Sequence, residues 1–81
     1  MLAPLRKKIS AVERSIETLR RDIERLDKEL AAPDLYTSDP DKAAALAKAR
    51  AGHVHDFARA ESEWLDLAQE LEAREGEALA G

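Results

Sequence analysis

The stretch that decides the fold is LAPLRKKISAVERSIETLRRDIERLDKEL, residues 2–30, in which Leu2, Leu5, Ile9, Val12, Ile16, Leu19, Ile23, Leu26 and Leu30 recur at alternating steps of three and four. That spacing averages 3.5 residues and keeps every apolar side chain on one stripe of a helix. A stripe of roughly four heptads needs a partner helix along its whole length, because burial against another element is what stabilises an amphipathic helix in water. Pro4 suits a first-turn position, and Pro33 disfavours helical geometry in Ala32. The first helix is therefore predicted over about 3–32, with a length of about 45 Å.

Working outward, residues 33–39 form a turn-rich connector, and Asp39-Pro40-Asp41 supplies a helix start. Asp39 offers a side-chain acceptor for free backbone N–H groups, Pro40 presets its backbone angle, and Asp41 favours the positive helix end. A second helix is predicted over about 40–75, with a frayed tail at 76–81 that contains Gly76 and Gly81. Its heptad positions are Ala43, Leu46, Arg50, His53, Phe57, Ala60, Trp64, Leu67 and Leu71. A connector this short returns the chain beside itself, so the fold class is all-α, a single antiparallel two-helix coiled-coil hairpin. Seam partners then have residue numbers totalling 72 or 73, from Leu2 with Leu71 to Leu30 with Ala43. Arg50 and His53 are polar seam residues, and Gly52 costs about 1 kcal/mol relative to Ala in a helix interior. A local loosening, a bend, or a shift of the apolar face toward Ala47 and Val54 is expected there. Leu35 and Tyr36 are expected to plug the connector end.

The net charge of -4 conceals an asymmetry. Residues 1–32 carry eight Lys or Arg against six Asp or Glu, whereas residues 33–81 carry five against eleven. The simplest reading is that the two halves attract and fix their pairing. Cysteine is absent, the apolar residues near Met1 are interrupted by Pro4 and by Arg6-Lys7-Lys8, and no run approaches the ~20 apolar residues of a membrane span. These features predict a soluble, cytoplasmic chain.

Catalysis within these residues is not expected, since phosphate loop, nucleophile elbow and cysteine are all missing and a two-helix seam has no room for a pocket. His53 and His55 are two apart and point to different helix faces, which argues against a metal site. The constellation that stands out is basic. Lys7, Arg14, Arg21 and Lys28 lie seven residues apart on the outward line of helix 1, with Arg25 adjacent. Such a row spans about 30 Å and can lie along a nucleic-acid backbone, where each neutralised phosphate adds salt-dependent affinity without reading sequence. Outward positions of any paired helix also tend to be charged, so a purely solvating role is the alternative.

Several strings are more specific than the periodicity. Ala3-Pro4-Leu5-Arg6-Lys7-Lys8-Ile9, Leu30-Ala31-Ala32-Pro33-Asp34-Leu35-Tyr36, Asp39-Pro40-Asp41-Lys42-Ala43-Ala44-Ala45-Leu46 and Ala60-Glu61-Ser62-Glu63-Trp64-Leu65, in this order, resemble the C-terminal coiled-coil domain of ABC-F ATP-binding cassette proteins. The resemblance implies the tail of a longer cytoplasmic ATPase with two cassettes, no membrane domain, and ATP and Mg bound outside these residues. It further implies action on ribosomes in translation, and for some relatives DNA binding and modulation of the ATPase. The implied partners are DNA or ribosomal RNA, reached through Lys7, Arg14, Arg21, Arg25 and Lys28, and the cassettes of the same chain. The alternative is a structural or protein-interaction arm. A homodimer belongs to that alternative, because isoleucine and leucine alternating on helix 1 also suit parallel pairing.

Overall fold

A computed structural model describes residues 2–80. Helix α1 spans Ala3–Leu30, with Pro4 in its first turn and the Leu2 carbonyl accepting from the Arg6 N–H at 3.0 Å. It stops two residues short of the expected end. Pro33 has no N–H to continue the ladder, and the last turn tightens instead, with Ala31 N–H bonding Asp27 and Lys28 carbonyls and Ala32 N–H bonding Glu29.

The connector holds a third, short helix that the sequence reading did not contain. This α2, Leu35–Ser38, is organised by one acceptor, the Asp34 carbonyl, which receives the Ser38 N–H at 2.8 Å, the Thr37 hydroxyl at 3.1 Å and the Ser38 hydroxyl. Helix α3 spans Pro40–Ala80. Its start is capped as expected, by Asp39 Oδ1 accepting from the Lys42 N–H at 3.1 Å.

The 41 residues of α3 amount to about 60 Å, which matches the long axis of a molecule measuring 65 × 15 × 14 Å. Among the described residues three side-chain hydrogen bonds tie α1 to α3: Arg6 with Glu75 at 2.8 Å, Glu13 with Trp64 at 3.2 Å, and Asp27 with Arg50. As numbers rise along α1 the partners' numbers fall along α3. Their totals, 77 and 81, exceed the 72 or 73 of the seam layers. Side chains lean toward the N-terminus of their own helix, so long side chains meet away from the level of their own Cα atoms.

Burial follows the heptads. All nine α1-side stripe residues from Leu2 to Leu30 are buried or half-buried, and only Glu17 and Asp22 join them. On α3, across residues 40–77, the nine heptad positions are likewise covered, joined by Ala68 and Glu75. The core proper is Leu5, Val12, Leu26 and Ala43.

Three expectations are corrected. The apolar face does not shift toward Ala47 and Val54, which are both exposed, and α3 runs unbroken through Gly52. Arg50 and His53 stay half-buried in the seam, and the Arg50 Nε donates to the Asp27 carboxylate, which keeps its charged head paired at the seam's edge. Tyr36 is 62% exposed and leaves Leu35 alone to cover the connector end. The tail expected to fray is helical through Ala80, while Gly81 lies outside the described residues. Gly76 weakens a helix without terminating it, and the Arg74–Glu70 pair at 2.8 Å and the Arg6–Glu75 contact support the turns around it.

Candidate nucleic-acid interface

Seven residues are almost two helical turns, so Lys7, Arg14, Arg21 and Lys28 stand about 10 Å apart along one line of α1. Arg25 fills the gap between Arg21 and Lys28. All five are exposed, and among the described residues none makes a hydrogen bond or ion pair to α3.

The five cations are not equally free. Arg21 donates from Nε to Glu17 at 3.1 Å and Arg25 approaches Asp22 at 3.8 Å, each with an acid one turn back on α1. Among the described residues Lys7, Arg14 and Lys28 have no ion pair, and the neighbouring Lys8 is in the same condition. Exposed pairs of this kind contribute only about 0–1 kcal/mol, so exchanging Glu17 or Asp22 for a phosphate costs little.

Arg20, which the sequence reading passed over, organises the centre. It binds Glu17 at 2.7 Å and Glu24 at 3.0 Å. Its hydrogen bond holds the Glu17 carboxyl below the ordinary glutamate value; desolvation opposes this, and Arg21 adds to it. In return Glu17 raises the Arg20 guanidinium above its ordinary value. The middle of the row is thus partly neutralised from within α1, and its free positive charge is concentrated near Lys7, Lys8 and Arg14 and again at Lys28. The signal for this was legible as Glu17 placed three and four residues before Arg20 and Arg21, the spacing at which helix side chains meet.

His53 is half-buried and His55 exposed, and among the described residues no group of three or more His, Cys, Asp or Glu converges in a way that could hold a metal ion. Among the same residues no helix is long and apolar enough to cross a membrane. The chemistry available on α1 is therefore charge pairing along a straight edge.

The family model described as ABC transporter C-terminal domain matches residues 4–69, a span that takes in the whole row and both long helices up to Gln69. No curated protein and no solved structure matches the chain.

Proposed function

The chain belongs to the ABC transporter C-terminal domain family, and from that premise we propose that it is an antiparallel coiled-coil hairpin serving a cytoplasmic ABC-F ATPase as a nucleic-acid-contacting arm. A C-terminal domain of an ABC protein is non-catalytic, and the ATP sites lie outside these residues. In this reading ATP and Mg act in the cassettes, and the arm modulates that ATPase in a translation-related role.

The observation that carries the proposal is the exposed row on α1, with Lys7, Arg14 and Lys28 unpaired among the described residues. A straight helix edge follows a duplex backbone without entering a groove, so contact is with phosphates of DNA or ribosomal RNA and carries no sequence preference. Arg21 and Arg25 join by exchanging their acids for phosphates. The strongly acidic second half points away from nucleic acid and orients the arm, with α1 toward phosphates.

Salt titration tests this directly. Binding of structured RNA or duplex DNA should weaken linearly on a logarithmic salt scale, and neutralising Lys7, Arg14, Arg21 and Lys28 should lower the slope by about 3–4 on the duplex. Absence of binding at low salt rejects the proposal in favour of a structural or interaction arm.

A further inference from the structure

One flank of the helix pair is built from Arg6, Glu13, Arg20 and Asp27, seven residues apart on α1. Several acids along it are held by an arginine. Glu75 is held by Arg6, Asp27 by Arg50, and Glu17 and Glu24 by Arg20. The exception is the middle. Glu13 accepts only the Trp64 indole N–H at 3.2 Å, and Glu61 has no hydrogen bond or ion pair among the described residues. These two carboxylates border an open groove of about 440 Å³ whose remaining walls are Ile16, Trp64 and Leu65. Leu65 is 53% exposed although it is a large apolar residue.

We infer that this groove docks an arginine side chain carried between apolar residues on a segment of a partner protein. Two unneutralised carboxylates beside exposed apolar surface are complementary to a cation on an apolar stem. A guanidinium is planar, presents five donors and stacks on aromatic faces, so it bonds Glu61 and the free oxygen of Glu13 while lying against the indole. Its methylene stem covers Leu65. A lysine ammonium is a compact, strongly hydrated point charge and satisfies this arrangement less well. Nucleic acid is repelled by the same carboxylates. The basic row of a second copy is a poorer occupant, because Arg14 stands between Glu13 and Ser15, Lys28 between Asp27 and Glu29, and Leu26 beside Arg25 is buried in that copy's own core and cannot meet Leu65. The inference uses none of the residues of that row and stands or fails separately from the nucleic-acid proposal.

Trp64 is the chain's only tryptophan, so its emission reports on the groove. The probe is an acetylated, amidated tripeptide with arginine between two leucines, titrated into the full 81-residue chain. Trp64 emission should change saturably in the roughly millimolar range. The lysine peptide should bind about three- to tenfold more weakly, and the citrulline peptide, which keeps the shape without the charge, should give no saturable change. Glu61→Gln should weaken the arginine peptide roughly tenfold while leaving helicity unchanged, since the residue is exposed and makes no bond within the helix pair. Equal binding of the citrulline peptide, an unchanged affinity in E61Q, or no saturable response to the arginine peptide overturns the inference. So does an emission change that depends on the chain's own concentration and disappears in E61Q, which places a second copy in the groove, or displacement of the peptide by duplex DNA.

Discussion

The connector end of the helix pair and its centre are made from the same heptads and are packed differently. At the connector end Leu26 is 4% exposed and Ala43 2%. In the centre Ile16, Leu19 and Ile23 on α1, and Arg50, His53 and Phe57 on α3, are all only half-buried. The difference lies in the facing side chains. Ala43 is small enough to be covered completely at its seam position, while Arg50 and His53 place long or polar side chains at the central positions and are only half-buried there. A regular apolar stripe on one helix therefore does not guarantee uniform burial; the second helix decides it layer by layer.

The largest test of this comparison is a pair of truncations. Leu26→Ala should destabilise the fold by about 2–4 kcal/mol, and Leu19→Ala by about 1–2 kcal/mol because Leu19 is less completely buried. Thermal or denaturant melts that give equal losses would break the distinction between the closed end and the open centre. A smaller change sharpens its cause. Gly52→Ala should stabilise by about 1 kcal/mol, since an added Cβ meets no atom within 4 Å. A rise in melting temperature assigns part of the weak centre to the α3 backbone, whereas no change leaves the polar seam residues as the whole cause.

The smallest effect concerns α1 alone. Arg20 holds Glu17 ionised, so the Glu17 carboxyl titrates below the ordinary glutamate value. A depressed carboxyl contributes stability that is present above its unfolded-state pKa and is lost as pH falls through the folded-state value. Carboxyl resonances followed by NMR should show Glu17 protonating later than the other glutamates on acidification, and Arg20→Gln should move it back toward them. The melting temperature should scarcely change in that variant, because both side chains keep about half of their surface in water.

The seam was legible in the sequence because its signal is repeated at every turn. Nine positions on each helix were identified from spacing, and all eighteen are covered in the structure. The polar pair Arg50 and His53 was legible as an interruption but its outcome was not, since that depended on Asp27 reaching Arg50 from the other helix. Helix α2 was missed because its organising acceptor is a backbone carbonyl, that of Asp34, which no residue pattern advertises. Of the basic row, position and exposure could be read directly, whereas the partial neutralisation of Arg21 and Arg25 required rotamers. Glu13 and Trp64 lie 51 positions apart, and nothing local links them.

By itself the sequence determined two long helices, the stripe on each that would be covered, and the outward line that would carry positive charge, because a heptad repeat is a local rule applied many times. The tertiary structure decided how tightly each layer closes, which acids are neutralised and which are left facing Trp64 and Leu65. Those outcomes depend on the two helices meeting at one register, and a charge finds or misses its partner only once that register sets the distances.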